Sequence, residues 1–160
     1  MAKVQPIPAG CDRVIPYLVV KGAAEAIKYY EKAFGAKETM RMPGPDGKTI
    51  GHAEIKIGPS LFYLSDECPT MNAYSPLHLK GSPVTLTLYV ADVDKAFNQA
   101  VAAGAKPVMP PTNMFWGDRF AKLTDPFGHE WALLTHVEDM SPEEMARRGQ
   151  EEMKKMQPQQ

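Results

Sequence analysis

Apolar and polar positions along the chain alternate in two regimes, and both recur. Residues 14–20 (Val-Ile-Pro-Tyr-Leu-Val-Val) form an apolar run of strand length, with Pro16 placing it at an edge or a bulge. From Gly22 the period changes. Ala23, Ala26, Ile27, Tyr30 and Phe34 fall on one helical face, and Gly35 can close that helix in a left-handed conformation. A turn at residues 44–47 (Gly-Pro-Asp-Gly) introduces strands predicted at about 48–57 and 61–66. Residues 67–83 hold Pro69, Pro76, Gly81 and Pro83 without periodicity and read as a connection. The pattern then begins again. Val84, Leu86, Leu88 and Val90 alternate with Thr85, Thr87 and Tyr89. Asp92 can cap a helix running to about Ala103, and strands near 116–123 and 129–136 flank the turn Asp125-Pro126-Phe127-Gly128.

The second run repeats the first. Val20 and Val90 are 70 residues apart, Gly35-Ala36-Lys37 and Gly104-Ala105-Lys106 are 69 apart, and Gly51 and Gly117 are 66 apart. In each copy a Pro-rich loop is expected to lead into a Gly-centred strand, Ile50-Gly51-His52 or Trp116-Gly117-Asp118. Two such units, each too small to close its own core, should pair and leave a cleft. The expected organisation is one domain over residues 1–140, with modules at about 12–67 and 84–138 joined by a linker at 68–83. A tail at 141–160 follows. Within it, Ser141-Pro142-Glu143-Glu144 starts a charged helix to about Met156, whose apolar stripe (Met145, Met153, Met156) is weak.

Strand parity selects the residues that could meet a ligand. Gly51, Ala53, Ile55 and Ile57 suit packing under a helix, which leaves Ile50, His52, Glu54 and Lys56 on the other face. Aligning Gly51 with Gly117 puts Trp116, Asp118, Phe120 and Lys122 on the corresponding face and makes His52 and Asp118 equivalents. Polar groups beside aromatic rings are what a small-ligand cavity needs. A sheet face left open to water is polar for solubility alone, which is the plainer account of His52 and Glu54. Arg119 falls on the opposite face and is expected to bind a carboxylate beneath the sheet.

Composition narrows the classes. With 18 basic and 19 acidic residues and a net charge of −1, the chain has no electrostatic reason to seek nucleic acid or an anionic membrane. No apolar stretch reaches the roughly 20 residues of a membrane span and no signal peptide is evident, so a cytoplasmic protein is expected. Cys11 and Cys68 read as reduced thiols.

The paired units, Asp92-Val93-Asp94, Phe115-Trp116-Gly117-Asp118-Arg119 and Asp125-Pro126-Phe127-Gly128-His129 together resemble the glyoxalase/bleomycin resistance/extradiol dioxygenase group, the vicinal oxygen chelate superfamily, and within it the PhnB-like proteins. The likeness covers residues 14–138. It implies an α+β fold of two tandem βαβββ modules curling into an open mixed β-barrel, usually in a homodimer. It also implies, for metal-dependent members, a divalent ion on the first and last strands of the modules. Counting from the shared motifs puts those positions at Ile15, Tyr63, Thr85 and Ala132, none a good ligand, so no metal or other cofactor is expected. A displaced metal site would draw on His52, Glu54, Asp118 or His136, the last kept because it shares a face with Ala132; His78 and His129 are poor candidates.

The leading expectation is a protein that encloses a small organic molecule without the usual metal. Tyr17, Tyr63, Tyr89, Trp116 and Phe120 would stack against the ligand, and His52, Glu54 and Asp118 would orient its polar groups. The alternative is an enzyme of the same superfamily, a glyoxalase, lyase or dioxygenase type. It would use either a displaced metal or acid–base chemistry by His52 with Glu54 or Asp118. An interaction module with a vestigial cavity is a third reading.

Overall fold

The computed structural model describes residues 6–8, 11 and 14–156; the expected start of the first module near residue 12 and the last residues of the tail lie outside these. The chain is α+β, with two modules in tandem followed by a helix. In the first, β1 (Tyr17–Val20), α1 (Ala23–Phe34), β2 (Lys37–Pro43), β3 (Ile50–Ile57) and β4 (Ser60–Asp66) build a four-stranded sheet in the order β1-β4-β3-β2. A short 3₁₀ turn (Pro69–Met71) and α2 (Pro76–Leu79) follow. In the second, β5 (Thr85–Tyr89), α3 (Val93–Ala102), β6 (Lys106–Asn113), β7 (Asp118–Thr124) and β8 (Glu130–His136) repeat the order as β5-β8-β7-β6. The first and last strands of each module pair in parallel and the other pairs are antiparallel. The charged helix α4 (Pro142–Met156) ends the description where the Ser141 start signal puts it, and the Ser141 hydroxyl accepts from the Glu144 N–H.

Two compact units emerge, residues 1–83 with 126–128, and residues 84–125 with 129–160. In the first, α1 lies against Leu18, Val20, Ala53, Ile55 and Leu64, all buried. Ala23, Ala26 and Ala33 on its inner face let the backbone approach closely, while Ile27 and Tyr30 fill the volume. Each buried side chain of that size contributes roughly 1.5–3 kcal/mol. The Phe127 ring joins this core, 6.1 Å from Tyr29 and 6.2 Å from Tyr30. In the second, Trp131, Leu123 and Leu133 form the centre beneath α3. Within this unit the buried Asp125 carboxylate accepts from the His129 backbone and from the Trp131 indole.

Both helices begin on a residue of the last strand. Gly22 offers α1 no side-chain cap, and the Asp66 carboxylate instead accepts from the Gly22 and Ala23 N–H groups at 2.9 Å and from Ile50 N–H at 2.8 Å. At α3 the Thr135 hydroxyl accepts from Val93 N–H and donates to Val90 O, while Asp92 caps Lys95 N–H. Replacing Asp66 with alanine is therefore expected to lower stability by about 1–2 kcal/mol, read from the urea midpoint, because three backbone donors lose their acceptor.

Three expectations are corrected. The stretches after Lys37 and Lys106 are strands β2 and β6, not Pro-rich loops; both run along sheet edges with register shifts, where proline costs no ladder bond. Gly117 stands before β7 at a φ of 92°, so Trp116-Gly117-Asp118 is a turn entering a strand. The copies also align differently. Tyr17, Tyr63 and Glu54 share one rung, as do Thr87, Ala132 and Lys122. The β3 and β7 offset is thus 122 − 54 = 68 residues, and the equivalent of His52 is Phe120, not Asp118.

Candidate functional site

The parity reading of the strands places the chemistry on the sheet faces opposite α1 and α3. In the first unit these positions carry Tyr17, His52, Glu54 and Tyr63 together. The Tyr17 hydroxyl is 3.0 Å from His52 Nδ1, and Glu54 Oε1 lies 3.9 Å from His52 Nε2. Which of the Tyr17 hydroxyl and His52 Nδ1 donates depends on the tautomer of the ring. At that separation Glu54 orients the ring electrostatically rather than through a hydrogen bond. The rings of Tyr17 and His52 are each packed against Tyr63, at 5.9 and 4.9 Å. Burial, and then a hydrogen bond with the Cys11 thiol, raises the Tyr63 phenol above its ordinary pKa. Cys11 thus joins this cluster, which no strand pattern could reveal because it precedes β1.

In the second unit the centre is Asp118, 5% exposed. Its Oδ2 accepts from Tyr89 O–H at 2.9 Å and from Trp116 Nε1–H at 3.1 Å, and its Oδ1 is 2.8 Å from His136 Nδ1. The opposite nitrogen of His136 lies 2.9 Å from Asp139 Oδ1. Phe120 packs edge-on to Trp116 at 6.0 Å. So Tyr89, Trp116, Asp118 and Phe120 are gathered on one surface, with His136 as the member that sequence reasoning reached only through its parity with Ala132. His52 belongs to the other unit.

A neutral imidazole has one N–H and the imidazolium two, so placing one carboxylate at each ring nitrogen favours the protonated form of His136. Its hydrogen bond to Asp139, then that to Asp118, hold it above the ordinary histidine value, and the bond to Asp118 does the same for Tyr89. The sign follows. A raised folded pKa stabilises fully below the unfolded histidine value of about 6.5, and the contribution is lost as pH rises through the folded value. A ¹H–¹⁵N titration of the His136 ring is expected to give a midpoint above that of a denatured control, and Asp139→Asn is expected to lower it.

Remaining histidines and Arg119 have structural partners. His78 stacks on Tyr74 at 4.5 Å, the His129 backbone closes the β7–β8 turn, and Arg119 grips Asp94 through two bonds at 2.6 and 2.7 Å.

A divalent ion on the first and last strands would meet the rungs Tyr17–Tyr63 and Thr87–Ala132, a shift of two residues on β1 and β5 from the expected Ile15 and Thr85. Hydroxyl and methyl side chains do not fit such an ion. Among the described residues no three His, Cys, Asp or Glu side chains converge on a metal position. No helix among them is long and apolar enough to cross a membrane.

Comparison with known proteins places this geometry. An uncharacterised protein of Mycobacterium tuberculosis is 44% identical over 133 residues, which span 81% of this chain and 78% of that one. The crystal structure of TioX from Micromonospora sp. ML1 superimposes with a TM-score of 0.63 at 25% identity, covering 79% of this chain and all of TioX. The PhnB protein from Bacillus cereus, described as a putative 3-demethylubiquinone-9 3-methyltransferase, shares the fold with a TM-score of 0.60 at 18% identity, over 78% and 99% of the two chains. Residues 11–133 match the Glyoxalase/Bleomycin resistance protein/Dioxygenase superfamily, and it is to this superfamily that the chain belongs.

Proposed function

We propose that the protein binds a small organic molecule on the open sheet faces, without the divalent metal used by metal-dependent members of its superfamily. The observation that carries the reading is the composition of the first- and last-strand pairs Tyr17–Tyr63 and Thr87–Ala132, which supply neither imidazole nor carboxylate; Glu54, on β3 beside the first pair, is a single carboxylate, short of the three ligands such an ion needs. Around those rungs stand aromatic rings and oriented polar groups, Tyr17, Tyr63, Tyr89, Trp116 and Phe120 with His52, Glu54 and Asp118. Tyr17, Tyr63, His52 and Glu54 lie on the face of the first unit and Tyr89, Trp116, Phe120 and Asp118 on that of the second, and each face by itself suits an aromatic or heterocyclic ligand held by stacking and a few hydrogen bonds. The binder acts as a cytoplasmic homodimer in this reading, with Val84, Tyr89, Val108 and Val137 exposed on the second unit as material for a contact. Elemental analysis of protein purified without added metal, with a thermal-shift screen against Zn²⁺, Mn²⁺ and Fe²⁺, is expected to show no stoichiometric ion and no stabilisation. One tight equivalent per subunit would sink the proposal. Light scattering tests the dimer separately.

The arrangement of Tyr17, His52 and Glu54 favours a second reading, acid–base catalysis by the His52 imidazole beside the Glu54 carboxylate. Once a ligand is known, His52→Gln separates the two. A binder loses affinity modestly, whereas a catalyst loses turnover by about a hundredfold or more.

A further inference from the structure

A cavity of about 650 Å³ opens in the second unit, lined by Met109, Thr112, Met114, Phe115, Trp116 and Glu152, with Asn113 at its side. Met109 and Thr112 stand on β6 opposite Lys122 and Phe120, and Glu152 comes from α4. The helix is fixed over this place by contacts of its own. Gly149 is buried against the Phe115 ring, where an added Cβ would come to 3.3 Å, and Arg148 forms paired bonds to Glu138 at 2.7 and 2.8 Å.

The polar groups of the lining sort by sign. The Trp116 N–H is committed to Asp118, the Thr112 O–H to Pro110 O, and the Asn113 carbonyl accepts from Arg119. The neighbouring guanidinium groups of Arg147 and Arg148 are each engaged by two carboxylates, Glu144 with Glu151 and Glu138 with Glu144. An anion therefore finds few donors here. Glu152 pairs with Lys155, whose side chain is 72% exposed, and such a surface pair is given up at little cost. Its carboxylate also keeps lone pairs for a second donor. What remains is an apolar wall of two thioethers and two aromatic rings with one negative charge at the edge. Thioethers and indole faces both favour flat, polarisable rings, and indole also favours positive charge.

We infer that the C-terminal helix completes a pocket for a flat lipophilic cation, an aromatic ring system bearing a protonated amine, with the rings against Trp116, Met109 and Met114 and the cation on Glu152. This rests on the small-molecule reading above and names its ligand class. Its volume is that of a drug-sized site.

Three acridines of one shape test it by titration calorimetry at neutral pH: 9-aminoacridine, which is cationic, neutral acridine, and acridine-9-carboxylate. The cation is expected to bind about tenfold more tightly than acridine, and the carboxylate more weakly than either. Glu152→Gln should bring cation and neutral ring within about twofold without weakening acridine, since the change removes the charge alone. Methyl spectra of ¹³C-methionine protein, assigned with Met109→Leu and Met114→Leu, should place the shifts at those two residues. Equal affinity for the three probes, a preference untouched by Glu152→Gln, or no shift at Met109 and Met114 would overturn the inference. The broader reading fails on a different observation, the stoichiometric metal, so either can fall alone.

Discussion

Replacing Asp118 with alanine is expected to lower the stability of the protein by about 3 kcal/mol and to return His136 toward an ordinary histidine titration. The carboxylate is nearly buried and is the acceptor of Tyr89, Trp116 and His136 at once. Removing it strands the Trp116 indole N–H beside a vacancy and releases the Tyr89 hydroxyl, and the charge-assisted bond to His136 goes with them. A donor left unmet out of water costs about 1–3 kcal/mol; the half-buried Trp116 indole bears that cost, whereas the hydroxyl of Tyr89, 61% exposed, can turn to water. Asp118→Asn is the informative companion. It keeps one oxygen for Trp116 and Tyr89 but turns an amide toward His136 Nδ1, so stability should fall less while the His136 midpoint falls as far. Urea unfolding followed by tryptophan emission measures the first quantity and ring ¹⁵N shifts the second. Equal midpoints for wild type and both variants would show that Asp139 alone holds the imidazolium.

That centre was only half legible in the sequence. Alternation over residues 118–124 is enough to set Asp118 and Phe120 on the face away from α3, because a strand has only two faces. It does not say which residue sits across from Asp118. The pairing was available from the turn: once residues 125–128 close the β7–β8 hairpin with Thr124 opposite Glu130, the sum of paired positions is fixed at 124 + 130 = 254, and Asp118 must meet His136. Alignment by Gly51 and Gly117 obscured this, since the two glycines do different jobs. Gly51 lies within β3, whereas Gly117 holds a positive φ before β7 begins. The edge strands β2 and β6 escaped for another reason. Their order comes from pairing with β3 and β7 rather than from burial; Met40, Met42, Val108 and Met109 show no clean inward set, and prolines interrupt β6.

Comparison of the modules separates what the duplication retains from what it releases. Both helices start on a side chain of the last strand, Asp66 or Thr135, and both sheets have the same strand order. The rungs on the open faces have diverged: Tyr17, Tyr63 and Glu54 in one, Thr87, Ala132 and Lys122 in the other. Helix starts are constrained by backbone donors that must be satisfied in each copy. Open-face side chains carry no such backbone requirement, so the two copies are free to differ there.

Gly117→Ala is expected to destabilise by about 2–4 kcal/mol, more than its conformation alone explains. The φ of 92° disfavours any side chain, and a Cβ there would also run into the Glu138 backbone oxygen and approach Met140 Cε at 3.1 Å. Glu138 cannot simply move away. Its N–H and that of Val137 both donate to Gly117 O at 3.0 Å, so the strap from His136 to α4 is tied to the same residue that the new methyl would push against. The displaced strap carries Asp139, the second acceptor of His136, and Glu138, the anchor of Arg148 on α4. Gly47→Ala provides the control, because Gly47 has a φ of 67° with nothing within 4 Å of the added carbon. It carries the backbone strain without the collision, and should cost about 1 kcal/mol. If urea midpoints for the two variants coincide, the collision has been absorbed by local movement. If Gly117→Ala falls further and its His136 midpoint also drops, the strap is the mechanical link between the Asp118 cluster and the helix that closes the cavity.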